Sequence, residues 1–177
     1  MRRRPKTTSS LKPMSKYYLI ALGSNVRHPR LGDPRQVLGA ALDSLAKAGL
    51  AVVSASPIVT SAPIGPSQRC YANGAAIIAS DLPPETVLDR LKTIEREYGR
   101  ATRGQRWRPR VLDLDIVLWS GGSFASPQLI IPHIALRSRS FVLGPASTIA
   151  ADWRDPITGL KIKQLHTRLT RPRAAPR

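Results

Sequence analysis

Residues 110–120 read RVLDLDIVLWS, and the reading of this stretch decides the fold. As a strand it puts Leu112, Leu114 and Ile116 on one face and Asp113 with Asp115 on the other, because strand side chains alternate with period 2. The two carboxylates are then about 7 Å apart at Cα, from about 3.3 Å of rise per residue. Like charges that close raise each other's cost of ionising, so something positive belongs between them. The preceding "GRATRGQRWRPR" offers Arg100, Arg103, Arg106, Arg108 and Arg110, and a metal ion is the other candidate.

Working outward, "DLPPE" opens a helix that runs to about Tyr98, with Val87, Leu88, Leu91 and Ile94 as its apolar stripe and Gly99 as its stop. "YANGAAIIAS" before it reads as a strand, and so does "AVVSASPIVT" at 51–60, where Pro57 marks an edge or a bulge. "SAPIGPSQRC" between them is a Pro/Gly loop. Further upstream, Asp33-Pro34 forms an N-cap and N1 pair for a helix carrying Val37, Leu38, Ala41, Leu42 and Leu45, with Gly49 as its stop. "YYLIALG" at 17–23 is a buried strand, and Gly23-Ser24-Asn25 reads as a turn after it. Downstream come a turn and short strand in "GGSFASPQLIIPH", a Pro-kinked helix in "FVLGPASTIAA", and a turn and weak helix in "DPITGLKIKQLHTRL". The order β α β β α β with additions predicts an α+β, ferredoxin-like sandwich: a mainly antiparallel sheet flanked by helices.

Composition sets the class. The chain has 177 residues, 42% of them hydrophobic, enough for the core of one domain. Residues 16–169 are read as that domain, and 1–15 and 170–177 as disordered basic tails. The N-terminal stretch lacks the apolar segment of a signal peptide, and no apolar run reaches the roughly 18 residues of a membrane span. Cys70 is the single cysteine, which excludes an intrachain disulfide and points to a reducing, cytoplasmic setting. With 28 Lys and Arg against 11 Asp and Glu, the net charge of +17 calls for an anionic partner. The tails hold many of those cations; the cluster at 100–110 lies inside the domain and is the informative one.

"ALGSN" (21–25), "APIGP" (62–66), "YANGAAI" (71–77), "IEREYGR" (94–100), "RWRPRVLDLDIVLW" (106–119) and "PHIALRSRSFVLGP" (132–145) occur in this order. Together they resemble the 6-hydroxymethyl-7,8-dihydropterin pyrophosphokinase family of folate biosynthesis. The resemblance covers about residues 17–169 and rests most on Arg-Trp-x-Pro-Arg-x-Leu-Asp-Leu-Asp-Ile. It implies an α+β sandwich and transfer of a pyrophosphoryl group from ATP, as co-substrate, to the pterin hydroxymethyl group, leaving AMP.

The resemblance also assigns roles. Asp113 and Asp115 match the ligands of Mg²⁺, as two ions, which accords with the preference of that hard cation for carboxylate and phosphate oxygens. Arg100 and Arg110 match phosphate-handling arginines, and Arg106 and Trp107 match a catalytic loop that closes over the substrates. Arg103, His133, Arg139 and Ile116 fall on the ATP side, although simple alternation turns Ile116 away from the aspartates unless a twist or bulge intervenes. Tyr71 and Phe141 match the aromatics that sandwich the pterin, Asn73 the side chain that reads its amide edge, and Ser61, Ala62 and Ile64 the loop that completes the pocket. The chain departs from the family pattern at Arg108, Ala62, Val59 and Ile134. The resemblance implies no protein partner and no membrane.

A different class competes: a basic ferredoxin-like sheet is also an RNA-binding architecture. Against it stand an aromatic content of only 5%, the absence of a run of interleaved aromatics, and two acids amid the basic cluster.

Overall fold

The computed structural model describes residues 16–61, 71–99 and 111–172. The elements are β1 (Lys16–Ser24), α1 (Pro34–Lys47), β2 (Ala51–Ala55), β3 (Val59–Ser61), β4 (Tyr71–Ser80), α2 (Pro84–Glu97), β5 (Asp113–Trp119), β6 (Phe124–Ala125), β7 (Ile130–Ile131), α3 (Ser140–Ile149) and α4 (Ile162–Thr170). The main sheet has the order β2-β4-β1-β5, antiparallel throughout, with β3 continuing β2 along the edge of β4. That is the split βαβ arrangement, and β6 with β7 adds a separate small hairpin.

Local chemistry explains the element ends. The Asp33 carboxylate accepts from the N–H of Arg35 at 2.8 Å and of Gln36 at 3.0 Å, and the Gln36 side chain accepts from the Asp33 N–H at 2.9 Å. This capping box satisfies donors that the first turn of α1 leaves orphaned. Gly99 ends α2 at φ +90°, a left-handed conformation that side chains disfavour. The stretch expected as one strand at 51–60 is two, because Pro57 has no N–H for the ladder. Ser56 bridges the interruption: its N–H donates to the Ala75 carbonyl at 2.8 Å and its Oγ accepts the Ala75 N–H at 2.9 Å.

Two cores lie on opposite faces of the sheet. Tyr18, Ile20, Leu22, Ala72, Ala76, Ile78, Leu112, Leu114 and Ile116 pack beneath α1 and α2. Leu19, Ala75, Ile77, Val117 and Leu118 pack against Leu143 and Ala146 of α3 and Ile162 and Leu165 of α4. The additions after β5 therefore form a third layer. That layer covers much of the face on which an RNA-binding sheet would display aromatics. Tyr18 is instead buried and stacks on Trp119 at 6.1 Å. The last helix runs through Thr170, one residue beyond the expected end of the domain, and the expected N-terminal tail lies outside the described residues.

Register turns β5 in mid-strand. Leu19 pairs with Leu118 but Ile20 pairs with Ile116, so Val117 is an extra residue and forms a bulge. Before it, Leu112, Leu114 and Ile116 face α1 and α2; Val117 itself and Leu118 after it face α3 and α4. No helix among the described residues is long and apolar enough to cross a membrane.

Candidate functional site

Directly opposed residues of antiparallel strands share a face. Gly23 of β1 pairs with Asp113 on one side and Asn73 on the other, and Asn73 pairs with Val59. One row across the sheet thus reads Asp113, Gly23, Asn73, Val59. Two residues along, Asp115 faces Ala21, which faces Ala75, a member of the α3–α4 core. Asp113, Asp115, Asn73 and Tyr71 therefore share the face that α3 and α4 cover farther along the strands.

Gly23 makes this row a cradle. A Cβ there would stand 3.9 Å from both Asn73 Oδ1 and Asp113 Cβ, so the missing side chain leaves the floor between them open. The expected turn at Gly23-Ser24-Asn25 begins later than predicted, since β1 runs through Ser24 and presents Gly23 as a strand residue. Asn73 is buried and Asp113 and Asp115 are half-buried, so the carboxylates keep access to solvent while standing on a rigid strand.

The passage from Pro132 to Arg139 borders Asp115. The His133 N–H donates to the Val117 carbonyl at 3.0 Å, which ties the passage to β5 at the bulge. Nδ1 of His133 accepts the Ala135 N–H at 3.1 Å, and Nε2 lies 3.8 Å from Asp115 Oδ2. With Nδ1 an acceptor, the ring carries its proton on Nε2, directed to the carboxylate side. Arg139 is exposed and stands at the N-cap position of α3 without a side-chain capping bond, and its guanidinium lies 5.7 Å from the centroid of the half-buried Phe141 ring. No stacking contact joins Phe141 to Tyr71 among the described residues.

Several predicted residues stand apart from this group. Ile116 is 1% exposed and packs beneath α1 and α2, because the bulge follows it rather than precedes it. Its side chain is thus closed to the aspartate face. Ser61 pairs with Tyr71 at the end of β3. Ala62, Ile64, Arg100, Arg103, Arg106, Trp107, Arg108 and Arg110 lie outside the described residues. Ile134, beside His133, is 74% exposed.

Sequence reading missed Glu95. Fully buried in α2, it accepts the Leu114 N–H at 2.8 Å and the Lys92 ammonium at 3.0 Å, and that ammonium also reaches the Leu114 carbonyl at 3.4 Å. Since β5 is the edge of the sheet, the outward polar groups of Leu114 need partners, and α2 supplies them. Leu114 lies between Asp113 and Asp115, so Glu95 fixes the segment that presents both. The signal was legible: Glu95 stands four residues after Leu91 and next to Ile94, on the buried stripe of its helix.

The donor set suits a hard divalent cation. No group of three or more His, Cys, Asp or Glu residues gathers around a metal-sized space among the described residues. Mg²⁺ sites that act on phosphates commonly take only one or two carboxylates, with phosphate and water completing the shell. Two carboxylates on one strand face beside an open glycine floor meet that need.

The model of the 7,8-dihydro-6-hydroxymethylpterin-pyrophosphokinase family matches residues 19–151. The chain is 41% identical over 139 residues to the 2-amino-4-hydroxy-6-hydroxymethyldihydropteridine pyrophosphokinase of Pseudomonas aeruginosa, covering 77% of this chain and 82% of that one. It is 40% identical over 135 residues to the protein of the same name from Haemophilus influenzae, covering 75% and 81%. Among solved structures, wild-type HPPK-DHPS of Plasmodium falciparum superposes with a TM-score of 0.68 at 12% identity, over 90% of this chain and 45% of that one. This chain spans under half of that longer protein, and the likeness concerns the fold.

Proposed function

This chain belongs to the 7,8-dihydro-6-hydroxymethylpterin-pyrophosphokinase family, and from that premise we propose that it transfers pyrophosphate from ATP to 6-hydroxymethyl-7,8-dihydropterin in folate biosynthesis. The hydroxymethyl oxygen attacks the β-phosphorus, the bond from that phosphorus to the oxygen bridging it to the α-phosphate breaks, AMP departs, and the hydroxyl proton is released. The observation that carries the reading is the row Asp113, Gly23, Asn73, with Asp115 two residues along the strand, which sets a pair of carboxylates and an amide on either side of an open floor.

Each residue has a task. Asn73 donates to and accepts from the pterin amide edge, and Tyr71 and Phe141 offer flat faces to the ring. Ser61, Ala62 and Ile64 are assigned to the pterin as well. On the other side of the floor, Asp113 and Asp115 would hold the Mg²⁺ ions. When bound, Mg²⁺ supplies positive charge that offsets the negative charge of the phosphates. His133 and Arg139 meet the phosphates from the passage beside Asp115, with His133 donating from Nε2. Arg100, Arg103 and Arg110 add guanidinium donors to phosphate oxygens, and Arg106 with Trp107 excludes water that would compete for the phosphorus. The setting is the cytoplasm, in keeping with a single cysteine.

The test is a coupled assay for AMP with purified protein, MgATP and the hydroxymethyl pterin. AMP should form in step with pterin consumed and should need both substrates. AMP or ADP released independently of pterin, or none released at all, would refute the assignment.

A further inference from the structure

The passage that carries His133 and Arg139 has neither helix nor strand from Pro132 to Arg139. Its course is fixed by a few ties. One is the bond from His133 to Val117, and another is Leu136, which is fully buried in the α3–α4 core. The third is Arg137, whose Nε donates to Asp155 Oδ2 and whose Nη2 donates to Oδ1, both at 2.7 Å. This is a bidentate fork, the most directional contact a guanidinium makes.

Asp155 is built to receive it. The carboxylate is fully buried, Oδ1 also accepts the Ile157 N–H at 3.1 Å, and Oδ2 also accepts the Thr158 hydroxyl at 2.6 Å. Its backbone closes the same turn, through Asp155 N–H to the Leu160 carbonyl at 2.9 Å and Gly159 N–H to the Asp155 carbonyl at 2.8 Å. The turn is pinned in its turn to the helical layer, where Ile162 N–H donates to the Trp153 carbonyl at 2.9 Å and Ile162 is fully buried. Asp155 is therefore a fixed post, and Arg137 fastens the irregular passage to it between the two residues assigned to the nucleotide.

We infer that the Arg137–Asp155 pair is a positioning device for nucleotide binding, setting where the His133 imidazole and the Arg139 guanidinium meet the phosphates. The inference rests on the assignment of those two residues to ATP under the proposed function. Arg137 acts through its neighbours and touches neither substrate.

The experiment compares the full chain with Arg137→Met, Arg137→Lys and, as a control, Leu165→Ala, which loosens the same core from α4. Affinities for a non-hydrolysable MgATP analogue and for the hydroxymethyl pterin are read by calorimetry, alongside KM and kcat in the AMP assay. Arg137→Met should weaken the analogue and raise the KM for ATP by about tenfold or more, with pterin affinity within about twofold. Arg137→Lys keeps the charge but not the fork and should lie between, about threefold weaker than the unmutated chain. Leu165→Ala should lower the melting temperature with nucleotide affinity unchanged. The inference fails if Arg137→Met binds the analogue normally, if it weakens both ligands alike, or if Leu165→Ala reproduces its effect. Should Arg137→Met not fold, Arg137→Lys decides, and normal analogue affinity in that variant overturns the inference. An unmutated chain that binds the analogue but releases no AMP refutes the proposed activity and leaves the inference to the binding arm. One that does not bind the analogue refutes both.

Discussion

Replacing Asp115 with Asn separates a metal-binding pair from a structural one. At about 7 Å and an effective dielectric between about 20 and 80, two carboxylates repel by roughly 0.6–2.4 kcal/mol. Asp115 is about one-third exposed, which puts the repulsion near the lower end, about 1 kcal/mol. The variant relieves that repulsion and gives up the approach of His133 Nε2 at 3.8 Å, and a pair this exposed contributes about 0–1 kcal/mol. The two changes nearly cancel, so without metal the melting temperature should move by no more than about 4 °C. Loss of a carboxylate from a cation clamp removes several kcal/mol of charge stabilisation instead, and at about 1.4 kcal/mol per decade turnover should fall by about 10²–10³. The Mg²⁺ concentration for half-maximal rate should rise with it. Melting in chelator and turnover against Mg²⁺ measure the two sides independently. A variant that loses several degrees without metal but keeps the original Mg²⁺ titration would show that Asp115 is a structural partner, and the reasoning would fail.

Three further outcomes follow from the same geometry. Phe141→Ala should weaken pterin affinity by roughly 1–3 kcal/mol through lost stacking and burial, and ATP affinity far less; calorimetry with unchanged pterin binding would remove Phe141 from the site. Gly23→Val should fold, since β1 is regular there and a Cβ meets nothing closer than 3.9 Å, yet its branches would stand over the floor between Asn73 and Asp113 and abolish turnover; a variant with full activity would show that the cradle is not the site. Tyr18 is fully buried, its hydroxyl donates to the Leu82 carbonyl at 2.6 Å, and burial pushes its phenol up to about 12. The folded state thus holds this proton to higher pH than the unfolded state, so its stability contribution is complete below about pH 10 and is lost as pH rises toward 12, by about 2–3 kcal/mol. Tyr18→Phe should flatten that alkaline limb in denaturant melts, at a neutral-pH cost of about 1 kcal/mol, and an unchanged limb would implicate another group.

What could be read along the chain was whatever depends on neighbours in sequence. The Asp33 cap, the Pro34 start, the glycine stop at Gly99 and the alternation of Leu112, Asp113, Leu114 and Asp115 each follow from residues within a few positions, and each stands in the structure. The motif string identified the family, and the element order supplied the split βαβ sheet. Tertiary structure decided what depends on register and on residues far apart. Asp113, Gly23 and Asn73 are separated by about forty to ninety positions, and only strand pairing puts them in one row. Ile116 stays closed to the aspartate face because the bulge at Val117 comes after it and reverses only the side chains beyond. Glu95 became meaningful only when α2 lay along the edge of β5, and Arg137 only when the turn at Asp155 folded back beside it. Periodicity specifies which face of an element is apolar; which partner that face meets, and which polar groups are left to meet across the contact, is settled by the packing of the whole chain.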